Sequence, residues 1–485
     1  MPMPSLSPLA SVPPAQRLPP PLRDCEPFAD PSVADPALEA FLQQAAALLC
    51  RWLGQAGQGT PLPGLSVLPV VEPERAGLDS ERLLADLQLV MEGAYNPNHP
   101  GALAHLDPPP LTASIVADLV CAGLNNNLLA EELSPSLSRL ERALCAWMAS
   151  RLGLPGGAGG VAASGGSLSN LMALVTARRQ RGLACRGDAV VLCSEDAHVS
   201  LAKAVAVMGL PPEALVQLPV DAAGALEPLA LESCLARLDR SATPVIAVVA
   251  TAGTTVRGAL DPLDTVATLC SRQGHWLHVD GAIGAIFAFS DRHRSGLAGL
   301  GRADSVTVNP QKLLGITKTS SLLLLADPSH LQQAFRTGLP YMEPSWGGGH
   351  QGEAGLQGSR PGEILKLWLG LRQLGLDGMA ALIDGAVARR AELERRLRAI
   401  GGLALRGGPL HLIAFRPEGL DGPAAERWSI ATRQCLLEEQ LMLSRPHYRG
   451  HHHLKAVLGN PHTGPEQLDR LALVVQRSLM GGCGA

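Results

Sequence analysis

From about Thr112 onward the chain alternates short apolar runs with stretches of helical spacing, and this limits its fold more than any other feature. The apolar runs span 189–193, 214–218, 245–251, 276–279, 305–308 and 321–325. Runs of this length without polar alternation are typical of strands buried on both faces. Helical stretches separate most of the earlier ones, for example 201–208 and 263–272. The pattern predicts an α/β fold with a mainly parallel sheet covered by helices on both sides. In such sheets ligand chemistry gathers at the strand ends and in the loops beyond them.

The 485 residues exceed what one compact core holds, so more than one domain is expected. Residues 1–36 are proline-rich, including Pro13-Pro14 and Pro19-Pro20-Pro21, and offer few large apolar side chains, which predicts an irregular segment. Leu38, Phe41, Leu42, Ala45, Leu48, Leu49 and Leu53 then share one helical face, and a second helical stretch covers 79–91. Residues 37–92 form an N-terminal helical extension on this reading. A large domain follows at 93–375, with further helices at 115–124, 137–152 and 168–181. Residues 336–360 make a long Gly-rich loop of the kind that is usually functional. Helices are expected at 364–374 and 379–400. The second, with Ile383, Val387, Leu393, Leu397 and Ile400 on one side, leads into a smaller C-terminal α/β domain at 376–485.

The net charge of −4 gives no reason to expect a nucleic acid or an anionic membrane as partner. No apolar run approaches the roughly 18–20 residues that span a bilayer, and the N-terminus lacks a basic start followed by an apolar stretch. A cytoplasmic protein is expected. Its ten cysteines show no CxxC pair and no metal-ligand spacing, which suits free thiols in a reducing compartment. His451-His452-His453 invites a metal reading, but in an extended segment only His451 and His453 share a face, and no cysteine or carboxylate cluster accompanies them. No metal is expected.

Three segments carry chemistry. Ser164-Gly165-Gly166-Ser167 lies directly before a helix, where free N–H groups and the positive dipole end suit a phosphate. An ordinary loop-to-helix turn is the alternative. His278-Val279-Asp280 ends a strand, and pyridoxal phosphate is a cofactor that needs such a carboxylate, to keep its pyridine nitrogen protonated. A helix cap is the alternative there. Asn309-Pro310-Gln311-Lys312 follows another strand, and a lysine so placed near phosphate donors can hold the cofactor aldehyde as an imine. Most lysines, however, simply lie on the surface.

The order of these segments, with His198 between the first and second, resembles the group II pyridoxal-phosphate-dependent decarboxylases. That family includes the glutamate, aromatic-amino-acid, cysteine-sulfinate and diaminobutyrate decarboxylases. The resemblance runs from about Asn98 to Asp377, with a weaker stretch near 454–463. It implies an aspartate-aminotransferase-like fold of type I, usually a homodimer with sites at the subunit boundary, and an N-terminal extension packed on the partner. It also implies roles. Gly165, Gly166 and Ser167 match the phosphate turn, and His198 the histidine stacked on the cofactor ring. Thr251, in Thr251-Ala252-Gly253-Thr254-Thr255, matches a segment lining the cofactor. Asp280 matches the pyridinium partner, and Asn309, Gln311 and Lys312 match the Schiff-base segment. His105, in Ala104-His105-Leu106, and Lys455 fall on substrate-side segments, and Arg360, Lys366 and Trp368 match the stretch after the long loop. Tyr341, 29 residues beyond Lys312, stands where family decarboxylases carry the tyrosine that reprotonates the carbanion. The implied activity is decarboxylation of an L-amino acid to an amine and CO2, with pyridoxal 5′-phosphate as cofactor.

Three positions depart from the family pattern. Gln311 replaces the usual histidine before the lysine, and it can donate to phosphate but cannot carry charge. Gly281 stands where the family has alanine. Lys455 replaces an arginine that binds the substrate carboxylate, offering a point charge in place of a two-pronged fork. Aminotransfer, aldehyde formation, and a catalytically weak cofactor-binding protein remain the alternative readings, because fold does not fix reaction type.

Overall fold

The computed structural model describes residues 26–64, 68–338 and 350–482. Two compact units divide between Asn96 and Pro97. The first contains α1 (Pro36–Gly54) and α2 (Ser80–Glu92). Each begins on an aspartate. Asp35 accepts from the N–H groups of Ala37 and Leu38 at 2.9 and 3.1 Å, and Asp79 from that of Arg82 at 2.8 Å. Such caps satisfy the orphan donors of a first turn. Few side chains of this pair are buried, whereas Leu42, Leu83, Leu87, Leu89 and Val90 are exposed.

The second unit opens with α3 (Thr112–Leu124) and α4 (Pro135–Arg151). Then β1 (Gly159–Ala163) turns into α5 (Gly166–Gln180), β2 (Val190–Ser194) leads to α6 (Ser200–Val207), and β3 (Leu215–Leu218) to α7 (Pro228–Arg240). Strand β4 (Val245–Thr251) precedes α8 (Leu263–Gln273), which ends on Gly274 in the left-handed region at φ 65°. The strands β5 (Leu277–Asp280) and β6 (Ser305–Val308), the one-turn α9 (Pro310–Leu313), β7 (Ser321–Leu325) and α10 (Ser329–Phe335) follow. The seven strands make one sheet in the order β1-β7-β6-β5-β4-β2-β3. The inner pairs from β2 to β6 are parallel, so the expected mainly parallel sheet is present. β7 runs antiparallel to β6, and β1 antiparallel to β7.

Each face of this sheet has its own core, because successive side chains point to opposite sides. Leu192 and Val248 pack with Met148, Leu235 and Phe287 on one face. Val191, Cys193 and Val249 pack with Met172, Leu174 and Leu201 on the other. All seven residues of β4 are buried, which accounts for its unbroken apolar sequence.

The two helices expected at 364–374 and 379–400 are arms of one long element, α11 (Ile364–Ile400), broken by Gly375 at φ 64° and ψ 179°. Beyond it come β8 (Leu403–Gly407), β9 (Leu412–Pro417), α12 (Gly422–Glu438), β10 (His447–Tyr448), β11 (His451–His452), β12 (Leu454–Val457) and α13 (Pro465–Leu479). An antiparallel sheet β12-β9-β8 packs Ile413, Phe415 and Leu454 against Leu393, Leu436, Leu471 and Val475 of the helices. Truncating Phe415 there would cost about 3–5 kcal/mol.

Candidate active site

The strand directions gather the chemistry. Because β2, β4, β5 and β6 are parallel, their carboxyl ends share one sheet edge, where Thr251 pairs with Asp280 and Asp280 with Thr307. β1, twice reversed, points the same way, so the turn after it opens on that edge too. A cavity of about 190 Å³ lies there, lined by Gly166, Ser167, Asn170, His198, Thr251, Asp280, Asn309 and Lys312 among others.

One end of the cavity is built from backbone. Gly165 caps α5 at φ 136° and ψ 161°, a conformation that L side chains rarely adopt. The first N–H groups of α5, on Gly166 and Ser167, have no carbonyl one turn back to bind. A Cβ on Gly166 would lie 3.0 Å from Asn309 Nδ2, so any side chain there would have to displace that amide. Asn309 is held in turn by Ser321, whose hydroxyl donates to its Oδ1 at 2.7 Å. Thr251 adds a buried Oγ1 with no hydrogen-bond partner among the described residues, and buried polar atoms of that kind are rare.

The other end carries the charges. Asp280 is buried, and its carboxylate accepts from Asn170 Nδ2 at 2.8 Å and from the Ala282 N–H at 3.2 Å. Lys312 sits on α9 with its N–H on Asn309 O at 3.1 Å. Burial pushes its ammonium below the ordinary lysine range, against the pull of Asp280 and Asp107. A larger share of the nucleophilic free amine follows. The His198 Nδ1 meets Ser200 Oγ at 2.9 Å and accepts from the Ser200 N–H at 3.2 Å. Burial, the largest cause, holds the His198 imidazole below its usual pKa.

Lys455 reaches the rim from β12, donating to the carbonyl of cavity-lining Thr255 at 3.3 Å. Burial first, and Lys312 second, push its pKa down to about 8. His105 stands exposed nearby, and partial desolvation, then Lys455, lower its pKa. Asp107 pairs with Lys318 at 2.9 Å.

The structure thus gathers His198, Asp280, Lys312, Thr251, Asn309 and the Gly165–Ser167 turn around one cavity, with Lys455 at its rim. Gln311 is not among the lining residues, and its Oε1 accepts from the Ser320 N–H at 2.5 Å. Arg360 and Lys366 stand elsewhere. Arg360 forms a bidentate buried pair with Glu141 at 2.5 and 2.6 Å, and the Lys366 Nζ binds Lys318 O at 3.0 Å. Trp368 is part of an apolar surface depression with Trp147 and Leu376. Tyr341 lies outside the described residues. Asn170 on the cavity wall, and Ser200 and Thr307 behind it, have no role legible in the sequence alone. Their signal is a polar side chain in an otherwise apolar buried segment. Among the described residues no group of three or more His, Cys, Asp and Glu could hold a metal.

These features fit pyridoxal phosphate: N–H groups for its phosphate, an amine for its aldehyde, and a carboxylate for its pyridine nitrogen. The pyridoxal-dependent decarboxylase conserved domain matches residues 68–406. The chain belongs to the pyridoxal-dependent decarboxylase family. It is 31% identical to the L-2,4-diaminobutyrate decarboxylase of Rhizobium meliloti (strain 1021), over 90% of this chain and 88% of that protein. It is also 31% identical to the cysteine sulfinic acid decarboxylase of Rattus norvegicus, over 69% of this chain and 70% of that one. The crystal structure of mouse CSAD superimposes with a TM-score of 0.83 at 26% identity, over 90% of this chain and 98% of that chain. This family member is a carboxy-lyase that decarboxylates an amino acid with pyridoxal 5′-phosphate. Among the described residues no helix is long and apolar enough to cross a membrane.

Proposed function

We propose that this decarboxylase acts on an L-amino acid, with Lys312 holding the cofactor's aldehyde carbon and Asp280 facing its pyridine nitrogen. The observation that carries this reading is the placement of a desolvated lysine and a buried, hydrogen-bonded aspartate on the walls of one cavity. Bound there, pyridoxal phosphate supplies the sink for the electron pair left when the carboxylate departs as CO2. Asp280 supplies negative charge where the pyridine nitrogen carries positive charge. His198 forms the wall across the ring, and Gly165, Gly166, Ser167, Thr251 and Asn309 take the phosphate end and its surroundings. Gln311 supports the lysine's turn through Ser320. Tyr341 returns a proton to Cα, a role that rests on its sequence distance from Lys312. Lys455, with His105 beside it, receives the substrate carboxylate.

Diaminobutyrate is the first substrate to test, because the diaminobutyrate decarboxylase matches nine-tenths of the chain. A mass-spectrometric screen of holoenzyme should include it with the twenty standard L-amino acids, ornithine and cysteine sulfinate. An amine product that disappears in Lys312→Ala is expected. Keto acid or aldehyde as the main product would overturn the reaction type while leaving the cofactor in place.

A homodimer is part of the same reading. Val116, Leu119, Val120 and Leu124 are exposed along α3, and so are Leu42 of α1 and Leu83, Leu87, Leu89 and Val90 of α2. Apolar surface of that extent marks association. A cytoplasmic location is supported by eight free cysteines among the described residues, which suit a reducing compartment.

A further inference from the structure

On the cavity wall, one buried amide makes four hydrogen bonds. Asn170 Nδ2 donates to Asp280 Oδ2 at 2.8 Å and to Ser200 Oγ at 2.9 Å. Asn170 Oδ1 accepts from Thr307 Oγ1 at 2.8 Å and meets His278 Nε2 at 3.1 Å. A primary amide has two N–H donors and two acceptor lone pairs, so Asn170 is fully used. The amide nitrogen donates to the Asp280 carboxylate and to Ser200, and the oxygen faces the Thr307 hydroxyl and His278.

Proton positions then follow around the network. The Asn170 oxygen only accepts, so His278 carries its proton on Nε2. Its Nδ1 then accepts from Ser305 Oγ at 2.9 Å, and that oxygen accepts from Trp276 Nε1 at 3.0 Å. On the other branch, a backbone N–H only donates, so the Ser200 N–H fixes His198 Nδ1 as an acceptor. His198 therefore carries its proton on Nε2. The Ser200 hydroxyl, occupied as acceptor by Asn170, points its own hydrogen at the same Nδ1. Asn170, Ser200, His278 and Thr307 are all essentially inaccessible to water, so no solvent exchanges for these bonds.

We propose that Asn170 is a positioning residue that couples the two functional walls of the cofactor cavity. It holds the Asp280 carboxylate directly, and through Ser200 it holds His198 in its Nε2–H form. The inference rests on the cofactor assignment but not on the reaction type.

The first test needs neither substrate nor cofactor. Nitrogen-15 spectra of the histidine side chains in the cofactor-free protein should show His198 and His278 protonated on Nε2 alone at neutral pH. A proton on His198 Nδ1, or an imidazolium at either residue, would overturn the wiring. The second test compares Asn170→Ala, Ser200→Ala and the double variant by cofactor dissociation constant and by kcat and KM. Asn170→Ala should weaken cofactor binding and lower kcat about 10- to 100-fold, the scale on which groups that orient a metal ligand matter, with KM nearly unchanged. Ser200→Ala should do less. The double variant should match Asn170→Ala alone, because both changes cut one network. Multiplying fold-changes, or wild-type cofactor affinity in Asn170→Ala, would defeat the proposal. If Asn170→Ala does not fold, Ser200→Ala and Thr307→Val leave the amide in place, and their double variant must still fall short of the product of the singles. A full product would defeat it equally.

Discussion

The inner wall of the cavity and its rim are built on opposite principles. Around Asp280 every partner is buried and hydrogen-bonded, from Asn170 at 2.8 Å to the Trp276–Ser305–His278 chain behind it. At the rim, the Lys455 Nζ donates a long bond of 3.3 Å to the Thr255 carbonyl, and Asp107 is a partly exposed partner of Lys318. Dense networks fix geometry at a high cost for each lost member, whereas a loosely held charge tunes attraction with little structural consequence. On the proposed function, cofactor chemistry falls to the densely bonded region and substrate recognition to the loosely bonded one.

Substitutions at the inner wall should therefore act on kcat and those at the rim on KM. The largest effect belongs to Lys312→Ala, with kcat falling by at least about 10³-fold, as for loss of a covalent catalyst. Asp280→Asn keeps the shape and removes the charge. It should lower kcat about 10²- to 10³-fold, the range for one preorganised electrostatic group. Initial rates at saturating substrate measure both, and a change confined to KM in either variant would break the contrast.

At the rim, Lys455→Ala should raise KM about 10-fold or more and change kcat much less. The pH dependence sharpens this. A carboxylate is attracted by protonated Lys455, and burial lowers that group to about pH 8. Substrate affinity should be steady below pH 8 and fall as the pH rises through it, with KM climbing toward tenfold per unit. Lys455→Arg, protonated throughout that range, should abolish the climb. A climb that persists in Lys455→Arg would assign it to another group.

The smallest effect is expected where the two regions are tied together. Tyr448 of β10 donates to Asp196 Oδ2 at 2.6 Å, two residues before His198, and Arg449 bridges to Glu195 at 2.7 Å. Tyr448→Phe should cost about 1 kcal/mol of stability in urea titration, with kcat within about threefold of wild type.

Much of this architecture was legible in the sequence because the inner strands are buried on both faces and carry unbroken aliphatic runs, as in Val245-Ile246-Ala247-Val248-Val249. β1 was not legible. Its Gly159-Gly160 start lacks strand character, and it becomes a strand only by pairing with β7. A Cβ on Gly160 would lie 2.0 Å from Leu323 O. Lys312, Asp280 and His198 were readable because each lies at or just beyond a strand end, where position itself suggests chemistry. The role of Asn170 was not, because its partners come from α6, β5 and β6, more than a hundred residues away in the case of Asp280. Arg360 and Lys366 matched the family pattern, yet the structure gives them buried contacts to Glu141 and to the Lys318 carbonyl. A sequence match alone does not distinguish a site residue from a strut.

The most direct test of the central claim is to reduce the holoenzyme with borohydride and map the labelled peptide by mass spectrometry. The chain has only five lysines, Lys203, Lys312, Lys318, Lys366 and Lys455, so the assignment is unambiguous. The account predicts a pyridoxyl phosphate adduct on Lys312 alone. An adduct on Lys455 or any other lysine, with Lys312 unmodified, would contradict it.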